Sequence, residues 1–514
     1  MSAQPVASPS PQQAVPNTRG LDRSLLFGIA WTGGAKWASQ LLSWASTLIV
    51  ARLLTPEDFG LVGMASLFLG LITLLSEFGL GSAIVTLRHL DDEQVAQLNA
   101  LSALVGLASC ATACAAAIPL GNFFATPELP AVVVVTSAGF VINSFRTVPS
   151  SILQRDLRFK ALAAVETGRV FVLSVSMVVF AVLGLRYWTL VIGGLISSAL
   201  GTGAVLLLQR HRFAWPRRQA LNSAMTFSGD ILLGRLSWYT YSNADFLVAG
   251  RILGKTALGL YELGWTIANV PIEKITTLVT QVTPPIFSAV QHDHAALRRY
   301  LLGLTEGLAL ITYPLCFGVA LVAPDFVHFA LGDKWQGAIV PLQLLALSAG
   351  FRAVTPLLPQ VLIAIGQTRL AMKYALLCAV VLPGAFYLLG KGWGTVGIAL
   401  AWVLVFPGLV LPAYRRVLRA IQLPGWEFLR ALWPALSASL LMAATVATLG
   451  WAVPQRWALG YRLAAQVVAG AMVYVVACLT LHRHRITTFY RFLRAVRSGD
   501  ARPGLDATAQ SENA

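Results

Sequence analysis

Apolar runs of about twenty residues, each closed by a short polar turn, recur along almost the whole chain. A run of about 20 apolar residues is what an α-helix needs to cross roughly 30 Å of hydrocarbon. The runs are continuous rather than alternating, which excludes a transmembrane β-barrel. The pattern predicts fourteen helical spans, beginning near Leu26, Phe59, Val95, Leu129, Ala161, Tyr187, Ser223, Ala257, Tyr300, Ala338, Leu370, Trp393, Phe428 and Leu459. The turns between them carry signals such as Thr55-Pro56-Glu57-Asp58 and Gly390-Lys391-Gly392, and none is large enough for a catalytic domain outside the membrane.

Part of the pattern repeats. Arg52-Leu-Leu-Thr-Pro-Glu-Asp-Phe-Gly60-Leu61 aligns with Arg251-Ile-Leu-Gly-Lys-Thr-Ala-Leu-Gly259-Leu260 at an offset of 199 residues, which also carries Lys36 onto Arg235 and Ser43 onto Ser242. Phe145-Arg146-Thr-Val-Pro149 resembles Phe351-Arg352-Ala-Val-Thr-Pro356 at an offset of 206. Spans 1–6 and 7–12 therefore read as two copies of one six-helix unit. Six is even, so both copies enter from the same side as parallel repeats, and two such halves face each other across a central cavity. The expected organisation is a tail over 1–22, an N-lobe over 23–212, a C-lobe over 213–420, an extra helix pair over 421–485 and a second tail over 486–514.

Composition supports a polytopic, all-α membrane protein: 56% of the 514 residues are hydrophobic and 12% charged, with a mean hydropathy of +0.69. A soluble chain of this length needs far more charge on its surface. The first tail holds Pro5, Pro9, Pro11 and Pro16 without an apolar h-region, so it reads as disordered rather than as a cleavable signal peptide. The net charge of +16 invites a nucleic-acid reading, but its placement opposes one. With the N-terminus cytoplasmic, 24 of the 38 basic residues fall on cytoplasmic segments and 8 on the opposite side. That bias puts both termini in the cytoplasm, and the basic segments also meet anionic lipid headgroups. The five cysteines sit within apolar runs without a CxxC pair and read as small core residues. The seven histidines are scattered, with no metal spacing and no nucleophile motif, so no metal, cofactor or enzyme activity is expected.

Charges inside the spans carry the functional signal. A Lys or Arg at a helix centre costs about 2.5–3.5 kcal/mol on insertion scales, so it usually faces protein or water. Lys36 lies ten residues into its span, about 15 Å deep at 1.5 Å per residue. Snorkelling would relieve part of that depth. Gln40, Ser43 and Thr47 follow on the same face, however, which suits a cavity wall. Span 8 shows a similar face of Glu262, Thr266, Asn269 and Glu273, and span 7 carries Asp230, Arg235 and Asp245 beside Trp238, Tyr239 and Tyr241. Those rings suit sugar stacking, interface anchoring or plain packing. Arg352 sits mid-span before Pro356 and Pro359, which should break the helix where it lines a cavity or is buried in protein. Arg146 lies nearer a span end and has a snorkelling alternative, while Glu166 and Arg169 are spaced for an i, i+3 ion pair. Lys36, Arg235, Arg146 and Arg352 together suggest one anionic ligand, such as a diphosphate, between the lobes. Asp230, Asp245, Glu262 and Glu273 either neutralise those cations or couple transport to H⁺ or Na⁺.

These residues resemble the bacterial polysaccharide-repeat flippases, the Wzx type within the multidrug/oligosaccharidyl-lipid/polysaccharide superfamily, and are most similar to its colanic acid exporter branch. The resemblance rests on Gly34-Ala-Lys36-Trp37, on Ala51-Arg52-Leu-Leu with Phe59-Gly60-Leu61, on Ser76-Glu-Phe-Gly79, on Phe145-Arg146 through Phe159-Lys160, and on Asp245-Phe-Leu-Val-Ala-Gly-Arg251-Ile-Leu-Gly254. Pro284 with Phe287, and Gly332-Asp-Lys-Trp335 before Pro341-Leu-Gln-Leu-Leu345, complete it. It covers about residues 25–420. The resemblance implies an inner-membrane protein that moves an undecaprenyl-diphosphate-linked oligosaccharide from the cytoplasmic to the periplasmic leaflet by alternating access. A polymerase and export machinery would then use the product for exopolysaccharide, capsule or lipopolysaccharide. It also implies that Lys36 and Arg235 serve the cationic cavity, and that the extra helix pair helps to accommodate the lipid tail. Two other readings stand beside it. An organic-cation antiporter of the same superfamily wants a net acidic cavity. A membrane polymerase or ligase wants a catalytic loop, to which His328 and Asp333 are the nearest approach.

Overall fold

The computed structural model describes residues 39–76, 84, 91–209, 212–215, 229–452 and 457–483, with only the backbone of 229–235. Among these residues every regular element is a helix, as it must be where no water is present to satisfy an open backbone. In chain order they are α1 (39–53), α2 (Pro56–Ser76), α3 (Asp92–Phe124), α4 (Leu129–Arg155), α5 (Phe159–Val182) and α6 (Trp188–Leu208). Next come α7 (Gly229–Val248), α8 (Gly254–Ala289), α9 (His294–Phe326), α10 (Ile339–Val354) and α11 (Leu357–Ala364). The last four are α12 (Thr368–Leu400), α13 (Phe406–Ala420), α14 (Gly425–Ala452) and α15 (Leu459–Leu481).

Among the described residues ten helices are long and apolar enough to cross a membrane, so the expected count of fourteen is not reproduced. The chain itself explains the gap. Span 1 is described only from residue 39. The α7 and α8 segments hold the polar residues read above and are absent from the ten. The runs beginning at Leu370 and Trp393 join in one stretch, Thr368–Ala420, that bends where Trp393 (φ −130°) and Gly394 (φ 61°) leave helical geometry. Local chemistry sets the ends. Asp293 caps α9 by accepting from the Ala295 and Ala296 N–H groups at 2.9 and 3.0 Å. The expected break at Pro356 is present: α10 stops at Val354 and α11 starts at Leu357, with the Ala353 carbonyl facing the Thr276 hydroxyl at 3.5 Å.

The helices pack in two groups. In the first, α3 lies on α4, α4 and α5 on α6, and α2 against α3 and α4, while the end of α1 packs through Val50 and Leu54 on Ala181. In the second, α7 lies on α12, α8 and α9 on α10, and α10 on α12. The pair α14–α15 docks on α9, where Asp325 accepts from Gln466 at 2.9 Å and pairs with Arg462 at 3.4 Å.

The groups meet chiefly where α2 crosses α8, and the crossing is reciprocal. A Cβ on Gly60 would overlap the carbonyl oxygen of Lys255, and one on Gly259 would overlap the carbonyl oxygen of Pro56. Both pairs are related by the offset of 199 read from the sequence. Thr256 donates to Glu57 at 3.4 Å across the same contact, and these two are also 199 apart. The neighbouring backbone is clasped in the same reciprocal way. The Trp335 indole N–H of the second group donates to the Ala51 carbonyl at 2.8 Å, Lys334 donates to the Arg52 carbonyl at 2.6 Å, and Arg52 donates to the Phe329 carbonyl at 2.9 Å. In return, Phe124 of the first group presses on Gly250, leaving only 3.0 Å for a Cβ, and Phe123 lies under Arg251 at 5.3 Å. Ala51 and Gly250, like Arg52 and Arg251, are 199 apart. Lys255 closes the same end by reaching Glu128 at 3.3 Å, where a backbone hydrogen bond first, and Lys255 second, hold the Glu128 carboxyl below its ordinary pKa.

Gly60→Ala puts its methyl into a backbone carbonyl, an overpacking that costs about 1–3 kcal/mol. Gly168→Ala in α5 meets nothing within 4 Å and gains about 0.5–1 kcal/mol of helix propensity. Thermal unfolding of the purified chain should therefore show a lowered Tm for Gly60→Ala and an unchanged or raised Tm for Gly168→Ala. Equal shifts would mean that the crossing is not the constraint described.

Candidate functional site

In the second group a cation and an anion are both built into the membrane interior around one indole. Asp245 on α7 is 0% exposed. Its carboxylate accepts from Tyr261 Oη at 2.8 Å, Trp402 Nε1 at 2.9 Å and its neighbour's backbone N–H at 3.0 Å. The Arg352 guanidinium on α10 lies against two adjoining rings, 4.1 Å from the centre of Trp265 and 4.4 Å from that of Trp402, whose own centres are 5.6 Å apart. It donates through Nη1 to Asn269 Oδ1 at 2.9 Å. Trp402 is thus shared, with its N–H on the carboxylate and its ring face on the guanidinium. Tyr261, Trp265 and Asn269 recur every four residues of α8 and so present one face. Each cation–π contact contributes about 0.5–2 kcal/mol once desolvated. The planar guanidinium stacks on an indole as an ammonium would not.

The first group holds a cavity of about 670 Å³ between α2, α3, α4 and α6. Small and hydroxyl-bearing residues line it at helical spacing: Ser66, Thr73 and Ser76 on α2, Ser102, Gly106 and Ser109 on α3, Thr136, Gly139, Asn143 and Thr147 on α4, and Gly194 and Ser198 on α6. Among the described lining residues none is charged. The offset of 199 sets Ser66 of this wall on Trp265 of the second group, Val62 on Tyr261 and Leu69 on Ala268. The equivalent place is thus open and hydroxyl-lined in one half and filled by stacked rings in the other.

Of the residues singled out in the sequence, Lys36 lies outside the described residues, and Asp230 and Arg235 are described only as backbone on α7. Gln40, Ser43 and Thr47 are half-buried on α1, where Thr47 donates back to the Ser43 carbonyl at 2.8 Å. They are not among the residues lining the cavity. Arg146 pairs with Glu166 at 2.9 Å, and Glu166 also pairs with Arg169 at 3.1 Å. One turn from Asn143, Arg146 stands beside the cavity rather than in its wall. Glu262 crosses from α8 toward α2 and lies against Gly63, its own counterpart at 199, with Oε2 buried and without a hydrogen bond among the described residues. Thr266 is half-buried and Glu273 exposed on the same helix. The structure therefore joins Arg352, Asn269 and Asp245, and leaves Arg146 about its own carboxylate. His328 and Asp333 bond to each other at 2.8 Å.

Two features escaped the sequence reading. The indoles on Arg352 come from α8 and from the turn between α12 and α13, which no local spacing connects. The polar stripes were readable as Ser66, Thr73 and Ser76 at i, i+7 and i+10 on α2 and as Thr136, Asn143 and Thr147 at i, i+7 and i+11 on α4, but charges stand out where neutral stripes pass for helix packing.

The family model for polysaccharide biosynthesis proteins matches residues 49–340. The chain is 25% identical over 385 residues to the lipopolysaccharide biosynthesis protein WzxC of Escherichia coli (strain K12), covering 72% of this chain and 77% of that protein. It is 25% identical over 483 residues to the succinoglycan biosynthesis transport protein ExoT of Rhizobium meliloti (strain 1021), covering 92% and 96% respectively. Among solved structures it has the fold of the lipid II flippase MurJ in an inward closed conformation, with a TM-score of 0.70 at 15% identity over 89% of this chain and 100% of that one. A multidrug resistance transporter of the MATE family in an inward-facing conformation follows at a TM-score of 0.61, with 18% identity over 75% and 95%. With more than half its length inside the matched model, this membrane-spanning chain belongs to the polysaccharide biosynthesis protein family.

Proposed function

We propose that the chain is a flippase that carries an undecaprenyl-diphosphate-linked oligosaccharide repeat from the cytoplasmic to the periplasmic leaflet of the bacterial inner membrane. It works as a transporter and not as an enzyme. The observation that carries the reading is Arg352: a guanidinium held mid-membrane, at an insertion cost of about 2.5–3.5 kcal/mol, is retained for a function. Relatives named for lipopolysaccharide biosynthesis and succinoglycan transport, and a fold shared with a lipid II flippase, support it. A built-in cation also argues against an organic cation as cargo.

The mechanism follows from the two related halves. With both termini in the cytoplasm, the reciprocal clasp about Gly60 and Gly259 is the periplasmic gate in its closed state, and the two lobes, 23–212 and 213–420, rock about it. Arg352 receives the diphosphate with Lys36, Arg235 and Arg146, and the guanidinium's planar fork suits phosphate oxygens. Asp245 already accepts three hydrogen bonds and so serves as the structural counter-charge. Glu262, with a buried oxygen unpartnered among the described residues at the α2–α8 crossing, is the better-placed carboxylate for coupling to H⁺ or Na⁺, ahead of Asp230 and Glu273. The pair α14–α15 accommodates the lipid tail, and a polymerase takes the product.

In a deletion strain, Arg352→Ala should abolish polymer export while the protein reaches the membrane at the normal level. Arg352→Lys should restore little, because an ammonium lacks the planar fork that stacks on an indole and grips phosphate oxygens. Normal polymer with Arg352→Ala would remove the diphosphate assignment. Glu262→Gln should leave the purified chain folded but make lipid transport in vesicles insensitive to an imposed ion gradient. A variant that still answered the gradient as the parent does would take Glu262 out of the coupling.

A further inference from the structure

We propose that the cavity between α2, α3, α4 and α6 is the receiving site for the uncharged sugars of the lipid-linked repeat. The inference rests on the flippase reading and adds a place for the glycan, apart from the cations that take the diphosphate.

The wall chemistry selects the ligand class. Four of its hydroxyls spend their protons internally: Thr73 donates to the Leu69 carbonyl at 2.9 Å, Ser102 to the Ser144 carbonyl at 2.8 Å, Thr136 to the Val132 carbonyl at 2.7 Å and Thr147 to the Asn143 carbonyl at 3.2 Å. What these groups offer the cavity is therefore oxygen lone pairs. Ser66, Ser198 and the Asn143 amide beside them can donate as well as accept, and Val62, Leu69, Val105, Leu190, Val191 and Leu195 supply apolar surface. Such a wall suits a ligand that carries hydroxyls on an apolar frame, as a saccharide does. The described lining residues carry no charge, so a phosphate, a carboxylate or an organic cation entering here would lose its hydration without a counter-charge, which is costly in a low dielectric. The volume of about 670 Å³ is that of a small-molecule site, within the roughly 300–1,000 Å³ such pockets span. Phe140 among the lining residues offers a ring for the C–H face of a sugar.

The comparison of the two halves supports the division. Where the second half sets Trp265 against Arg352, the first half sets Ser66 and leaves the space open. Arg146, the counterpart of Arg352, pairs with Glu166 beside the cavity rather than in its wall. The described wall of the pocket thus suits neutral polar bulk, with Arg352 and Arg146 outside it.

Gly194 supplies the test, because a Cβ there meets nothing within 4 Å and a larger side chain fills the cavity without disturbing the core. Purified chain in vesicles is given two lipids: the lipid-linked repeat extracted from producing cells, and the same lipid trimmed by glycosidase to one sugar. Gly194→Leu should slow transport of the full repeat by about tenfold or more, the scale on which a filled pocket discriminates. It should leave the one-sugar lipid close to the parent rate, and Gly168→Ala, outside the cavity wall, should move both lipids normally. Ser66→Leu, on the opposite wall, should repeat the pattern and guards against a folding fault in the first variant. Equal slowing of both lipids, or of neither, overturns the glycan site while leaving the flippase reading in place. A parent chain that moves neither lipid overturns the flippase reading and this inference with it.

Discussion

Everything in this architecture depends on two helices being allowed to touch backbone to backbone. At the α2–α8 crossing, Gly60 and Gly259 leave room for each other's neighbouring carbonyls, and any side chain there collides. Lipid gives no hydrophobic push between helices, so close packing and hydrogen bonds must hold them, and small residues make both possible. Because the two glycines are repeat mates, the contact is self-complementary, as in an isologous dimer interface. The clasps of Ala51–Arg52 by Trp335 and Lys334, and of Gly250–Arg251 by Phe123 and Phe124, follow from the same two-fold logic. They are chemically unequal: one is built on hydrogen bonds to backbone carbonyls, the other on ring packing. A joint whose two sides differ opens more readily on one side than on the other.

The same duplication explains how one protein carries two kinds of polar interior. From equivalent walls, one half carries indoles that lie against a guanidinium. The other carries serine, threonine and glycine and leaves a void. A guanidinium inside a membrane needs ring contact and acceptors for its protons, and Trp265, Trp402 and Asn269 supply them. A void lined by apolar groups would forfeit dispersion contacts. A void lined by hydroxyls, whose protons are already spent on helix carbonyls, carries a smaller penalty until a ligand arrives.

How much of this was legible in the sequence depended on whether the signal was local. Helix positions followed from hydropathy, the break before Leu357 from Pro356, and the Glu166–Arg169 pair from its spacing of three. The offset linking Gly60 to Gly259 was visible too, although its meaning as a physical contact was not, because a repeat says which residues are equivalent and not which ones touch. The pair of rings against Arg352 was out of reach, since its parts come from helices far apart in the chain. Ten recognised spans against an expected fourteen reflects the same limit. Functional helices such as α7 and α8 dilute their own hydropathy with the residues that do the work.

The polar content of α8 shows why that dilution is tolerated. Along one helix, Gly259 makes the crossing, Glu262 meets Gly63 at the joint, Tyr261 holds Asp245, and Trp265 with Asn269 holds Arg352. Successive residues of a helix point about 100° apart, so neighbours such as Tyr261 and Glu262 necessarily serve different surroundings. The hinge and the cation cluster are therefore mechanically one body, separated by about two turns, or some 11 Å of helix. Any rocking of α8 against α2 at Gly259 must displace the Trp265 wall relative to the first half. A ligand bridging Arg352 and the hydroxyl cavity would feel that displacement directly. That geometry, rather than a relay of contacts through the protein, is the shortest route from occupancy to the gate.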